Sequence, residues 1–440
     1  MMTYSSVDTS SLSIFKLSIP MLASMILEQL IGLTDVIFLG RVSEVSVGAA
    51  AIGGIGFFVF TMVAMGYGVA AQSQMGIANG RQDYLAIGKI FVQSLVFFFA
   101  FTIILALVLP FSIPYLFELG IQSPNVRNEA QNYFFWRMIG IGFAFICIGF
   151  RSFFMATLKP TVLIYSSLVL VGSNCLLNYF LIFGFGPVPA LGIAGAAIAS
   201  TLAEFVTVIF FLLYTIQKGY HKQYNLFHWE GVDKTLQAHL FRLGRYMMFQ
   251  ETIIMTSWLL FFVWVEHMGE RALAICNIIR SFSNLMFIIV HAFGSTCGSI
   301  GANLLGENRS KEIDPMMWRG LKLSFSITIP LAVLIALFPT LPLSLFTDIE
   351  ELRTESIDSL RVMLSSYLIC VPVYHYFLAF GFLGATRESM LVSILSILSY
   401  TVYCWWVTHW TDNVAVVWTA DWFYYLVIMI GVIYFWKRLK

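Results

Sequence analysis

Twelve apolar blocks set the terms for this chain, at roughly 12–39, 46–78, 88–117, 128–157, 160–184, 192–218, 237–265, 272–303, 317–346, 356–385, 388–411 and 414–436. Each is about 20 residues or longer, enough to cross a hydrocarbon core of roughly 30 Å as an α-helix. Backbone N–H and C=O groups need internal partners in lipid, which a helix supplies within one segment. The expected fold is therefore an all-α integral membrane protein with twelve transmembrane helices. Composition agrees: 59% of the 440 residues are hydrophobic and 11% charged, against roughly 25% charged in a soluble domain. The same numbers exclude a soluble enzyme and a disordered chain. A net charge of +1 offers no basic field for nucleic acid. The first block contains Glu28 and Asp35 and is too long for the core of a cleavable leader, so it reads as a retained helix.

Lysine and arginine set the expected orientation. With the N-terminus inside, 18 of the 25 Lys and Arg residues fall at inner ends and loops, Lys440 among them. The positive-inside rule then places both termini in the cytoplasm of a protein of the inner (plasma) membrane.

The chain also repeats. Ile14–Lys16–Leu17 reappears as Leu240–Arg242–Leu243, and Ser43–Glu44 as Gly269–Glu270, an offset of 226. Phe154–Met155–Ala156 pairs with Phe382–Leu383–Gly384 at an offset of 228. The expectation is two pseudo-symmetric six-helix lobes, residues 1–225 and 226–440, forming a parallel repeat about an axis along the membrane normal.

Polar residues inside apolar blocks carry the functional signal. A carboxylate at mid-membrane costs at least about 2.5 kcal/mol and usually faces a cavity or a partner. Asp35 lies toward the outer end of the first block. Asn174 and Asn178 are four apart, on one helix face. Their amides can donate to a carboxylate or offer oxygens to a cation. With Ser200 and Thr201 they form the expected ion-coupling set, and Asp35, Asn174 and Asn178 would supply the oxygens for Na⁺. The bland reading is that the asparagines only join helices. Through the repeat, Asp35 maps to Phe261, and Asn174 and Asn178 map to Val402 and Trp406, which confines the polar cluster to the N-terminal lobe.

Glu28, Glu204, Glu251, Arg280 and His375 are secondary coupling or substrate candidates. For Glu204 an ion pair with Arg137 or Arg151 is the plainer reading, and for Glu251 a pair with Arg280. Pro20 is read as opening the first helix, where proline is tolerated. Asp421 is placed near the outer end of the last helix. Most Phe are expected to face lipid. Trp405, Trp406, Trp410 and Trp418 read as an interfacial belt. Six cysteines sit singly in apolar stretches, and His267–Met–Gly–Glu270 has no companion ligand cluster, so no metal site or disulfide framework is expected. There is no GxxxxGK[ST], HExxH or GxSxG motif.

Pro20…Asp35–Val–Ile–Phe–Leu–Gly40, Asn174–Cys–Leu–Leu–Asn178–Tyr–Phe–Leu–Ile–Phe–Gly184 and Leu191–Gly–Ile–Ala–Gly–Ala–Ala–Ile–Ala–Ser200 resemble signatures of the multidrug and toxic compound extrusion (MATE) family. The single acid in the first helix and the two asparagines look most like its DinF-like branch. The resemblance implies a V-shaped, two-lobe, monomeric transporter that bends its first helix, in which Gly32 and Gly40 are the local weak points. It implies export of cationic or amphipathic organic compounds in exchange for H⁺ or Na⁺, without a further cofactor. Some members carry an acid where this chain has Asn178, a Thr at Ser200 and an acid near Pro372; Glu251 matches an acid found in others. The alternative is a flippase for lipid-linked glycans of the same broad superfamily, and further off a membrane-embedded enzyme or channel.

Overall fold

The computed structural model describes residues 6–121, 123–187 and 189–438; Lys440 lies outside the described residues. The first eight helices are α1 (Ser11–Leu39), α2 (Glu44–Gly80), α3 (Tyr84–Gly120), α4 (Pro124–Ile139), α5 (Ile141–Ala156), α6 (Thr161–Phe183), α7 (Gly192–Gln217) and α8 (Tyr220–Gln223). The next eight are α9 (Lys234–Glu266), α10 (Glu270–Gly306), α11 (Ile313–Leu337), α12 (Thr340–Leu343), α13 (Glu350–Phe382), α14 (Thr386–Trp410), α15 (Val414–Val417) and α16 (Thr419–Trp436). Among the described residues eleven helical stretches are long and apolar enough to cross a membrane, and α4 with α5, taken as one span bent by 51°, brings the number to twelve. The all-helical, twelve-span expectation holds.

Contacts divide the chain into two compact units: Ala23–Gly244, and the segment ending at Leu22 together with the chain from Arg245 onward. The division thus falls inside α1 and α9 rather than in the inner loop at 225/226. Pro20 is the tenth residue of α1, not its opening residue. Along α1 only Ile14, Ser18, Pro20, Ser24 and Leu39 are buried, so apolar packing holds this helix weakly.

Backbone geometry sets the repeat offset. Gln82 and Asn308, 226 apart, both have positive φ (59° and 60°). The following amides bond back across each turn at 2.9 Å, Asp83 N to Ala78 O and Arg309 N to Leu304 O. The same turn recurs at Leu158 and Gly384 (φ 55° and 84°), with Lys159 N to Phe154 O at 2.8 Å and Ala385 N to Phe380 O at 2.9 Å. These are the 6→1 bonds of helix C-caps. An offset of 226 therefore holds there too, and the offset of 228 is corrected. Asn174 and Asn178 correspond to Tyr400 and Cys404, not to Val402 and Trp406. A slip of two goes unnoticed where one apolar residue reads like another.

The first unit is assembled by two close approaches. The Leu191–Gly–Ile–Ala–Gly run turns the chain at Gly192 (φ 53°) and lays Gly195 on α6, where a Cβ would meet the Leu181 carbonyl oxygen at 2.4 Å. Only glycine permits that distance, and it brings Ser200 of α7 beside Asn174 of α6. At Gly140, between α4 and α5, a Cβ would lie 2.1 Å from Thr201 Cγ2. The Thr201 hydroxyl donates to the Trp136 carbonyl at 3.3 Å, which compensates a carbonyl freed by the break. A side chain acting on the ladder is a recognised cause of helix bending.

The tryptophan expectation fails at one position. Trp405, Trp406 and Trp410 are exposed, but Trp418 is fully buried, its ring tilted against Phe261 with centroids 5.4 Å apart. Phe91, Phe150, Phe153, Phe154 and Phe211 are buried together in the first unit, so phenylalanine is core material as well as outer surface.

Candidate functional site

In the first unit, α1 brings Asp35 against α6. Asn178 Nδ2 donates to Asp35 Oδ1 at 2.6 Å and to Asn174 Oδ1 at 3.1 Å. Asn174 Nδ2 then donates to Ser200 Oγ at 3.0 Å. The i, i+4 spacing puts both amides on one face, and the Gly195 approach delivers Ser200. Asp35 is half-buried, while Asn174 and Asn178 are at most 1% exposed. An ionised carboxylate only accepts hydrogen bonds, and here an amide N–H faces it. Asn178 Oδ1 is buried without a partner.

Of the five expected coupling residues, four form this chain: Asp35, Asn178, Asn174 and Ser200. Thr201 serves the helix break instead. Thr34 joins from α1, its hydroxyl 3.5 Å from Asn174 Oδ1.

The two other candidate acids of the first unit, Glu28 and Glu204, are paired. Glu28 Oε1 is bound by Arg151 of α5 and accepts from Ser167 Oγ at 2.9 Å. Ser24 and Ser167 hydroxyls meet at 2.8 Å. Glu204 pairs with Arg137 at 2.8 Å, not with Arg151. Arg137 lies 3.7 Å over the Phe57 ring and within electrostatic reach of Asp35.

In the second unit, Glu251, Arg280 and Asp421 line one cavity of about 170 Å³, with His291, Tyr400 and Trp258 also in its wall. Among the described residues Glu251 and Arg280 make no direct ion pair. Arg280 instead stacks on Trp258, Phe261 and Trp418, at 4.7, 4.9 and 5.2 Å. Phe261 and Tyr400 are the repeat counterparts of Asp35 and Asn174, so aromatic rings occupy in this unit what the polar chain occupies in the other. His375 is fully buried, with Nε2 3.1 Å from the Met317 carbonyl, and lies outside the cavity wall.

A family model described as MatE matches residues 20–180 and again 247–406, starts that are 227 apart. The chain belongs to the MatE family. MatE proteins are transporters, not enzymes. A probable multidrug resistance protein YoeA of Bacillus subtilis is 24% identical over 82% of this chain and 78% of its own. A probable multidrug resistance protein NorM of Haemophilus ducreyi is 23% identical over 89% of this chain and 83% of its own. A solved structure of a MATE protein in complex with MaL6 superposes with a TM-score of 0.89 at 18% identity, covering 99% of this chain and 97% of the other. A MOP superfamily transporter from Pyrococcus furiosus superposes at 0.88 and 18% identity, over 99% and 96%. At those identities the structures speak for the MatE fold.

Two residues of this MatE chain were named in the sequence but not assigned to a site. Asp421 is a buried wall residue of the second-unit cavity, and Arg137 is within electrostatic reach of Asp35. The signal for both is the same: an ionisable residue in a membrane span is a functional candidate by default.

Proposed function

We propose that this chain is a secondary antiporter that exports cationic or amphipathic organic compounds in exchange for a proton taken at Asp35. The observation that carries the reading is the polar chain from Asp35 through Asn178 and Asn174 to Ser200. The amide N–H facing Asp35 suits the ionised carboxylate. Protonating Asp35 weakens that acceptor and turns one oxygen into a donor, so the bond tying α1 to α6 is lost or reversed. With few buried apolar residues, α1 is the helix such a change can shift. The names of the matched relatives support drug export.

Na⁺ is the second reading, and the unpartnered Asn178 Oδ1 favours it. With Asp35 and Asn174 Oδ1 it would supply oxygen ligands, provided the Asn178 amide turned toward the carboxylate. For the organic substrate, the second-unit cavity offers Glu251, Asp421 and aromatic faces suited to cation–π contact. We read the chain as a monomer of the plasma membrane with both termini in the cytoplasm, the orientation that the distribution of basic residues supports.

The test is ethidium uptake into everted vesicles, with an acid interior and no Na⁺, then with a Na⁺ gradient and no pH difference. Proton coupling is supported by uptake in the first arm. Uptake only in the second transfers the role to Na⁺. No uptake in either contradicts cation export and favours the flippase alternative.

A further inference from the structure

Arg137 and Glu204 form more than a brace between α4 and α7. Their pair leaves Arg137 Nη1 and Glu204 Oε2 buried without partners, though the two bond at 2.8 Å through Nη2 and Oε1. Arg137 is 7% exposed, and it is the charged side chain whose field reaches Asp35. A buried guanidinium within electrostatic reach of a carboxylate is a candidate partner for it. Here the guanidinium is turned to Glu204 instead.

The charges explain why that matters. Asp35, Arg137 and Glu204 together carry one net negative charge, which one monovalent cation cancels. With Glu204 neutral, Arg137 alone would cancel Asp35, and no charge would remain to draw a cation. We propose that Glu204 acts as the counter-ion of Arg137 and so keeps Asp35 available to the exchanged cation. Glu204 is then a positioning residue for coupling, acting through Arg137. The inference rests on the reading of Asp35 as the coupling acid.

The groups facing this trio come from each neighbouring helix. Asp35 is on α1, Arg137 and Tyr133 are on α4, and Glu204 is on α7. Tyr133 lies within electrostatic reach of the other three. From α5, Cys147 Sγ contacts the Glu204 backbone oxygen at 3.7 Å. From α6 come the uncharged amides of Asn174 and Asn178. Phe57 of α2 covers the guanidinium face.

The experiment measures the pH profile of ethidium transport in everted vesicles. It compares wild type, Glu204→Gln, Arg137→Gln, the double variant, Glu204→Asp and Asp35→Asn at matched membrane levels. Glu204→Gln is expected to lose at least about tenfold in rate and to move the profile's midpoint toward acid by about one unit, because Arg137 then stabilises the ionised Asp35. Arg137→Gln is expected to move it toward alkali, because two carboxylates remain. The double variant and Glu204→Asp should return close to the wild-type midpoint. A structural brace would lower rates or protein levels without opposite shifts. Unmoved midpoints, or shifts of one sign, overturn the inference while Asp35→Asn stays inactive. If a single variant fails to reach the membrane, the double variant and Glu204→Asp decide: a midpoint displaced in either is contrary to the proposal. Full transport by Asp35→Asn would instead defeat the coupling reading itself.

Discussion

Lys159, at the end of α5, shows how much one residue's surroundings change its chemistry. Its Nζ is 2.9 Å from the Tyr224 hydroxyl and 3.8 Å from the Tyr220 ring centroid. Burial pushes its pKa down from 10.5 to about 8. Between those values the unfolded chain holds the proton more tightly than the folded one, so folded stability increases as pH rises through that window. Below pH 8 the charge stays buried at a cost on the order of 1 to 2 kcal/mol, discounted for its partial exposure. Lys159→Met should therefore melt above wild type at pH 7, with the advantage shrinking toward pH 10.5. Thermal melts of the purified protein across that range check this; a constant difference would contradict it. At the same scale, the Asn174–Asn178 pair was legible because helical spacing is local. The electrostatic influence of Arg137 on Asp35 was not, since it joins residues of α4 and α1 that lie about a hundred positions apart in the chain. Trp418 was misread because an interfacial and a core tryptophan look alike in an apolar sequence.

At the scale of elements, the span limits were largely legible because membrane-length hydropathy is a strong signal. Blocks 160–184 and 192–218 became α6 and α7 within a residue at each end. Breaks inside a span were not legible. Gly140 interrupts one block between apolar neighbours, Ile139 and Ile141, and the contact that attends the break is with Thr201, which lies far along the chain. The α6–α7 approach carries the candidate site, and it rests on Gly195. Gly195→Val puts branched carbons onto the Leu181 carbonyl, an overpacking worth about 1–3 kcal/mol, and separates Ser200 from Asn174. The expected result is a lower melting temperature and slower ethidium transport at equal membrane level. Unchanged melting and transport would show that the two helices need no such contact.

At the scale of the molecule, one offset of 226 relates the helices of the two units, yet the units have diverged in chemistry. The first holds Asp35, Asn174 and Asn178, whereas the second holds Phe261, Tyr400 and Cys404 at the corresponding positions. Repeat order was legible in short matches such as Ile14–Lys16–Leu17. The register near residue 384 was not, because a positive φ at Leu158 leaves no trace in the sequence. The proposed antiport assigns ion exchange to one unit, with α1 as the moving part, and the asymmetry is in keeping with it. The most direct measurement is acid-driven ethidium uptake into proteoliposomes of wild type and Asp35→Asn, matched for protein and membrane orientation. The account expects the substitution to lower uptake by at least about tenfold, consistent with loss of a charge-assisted site. Uptake by Asp35→Asn at the wild-type rate, under the same gradient, would contradict it.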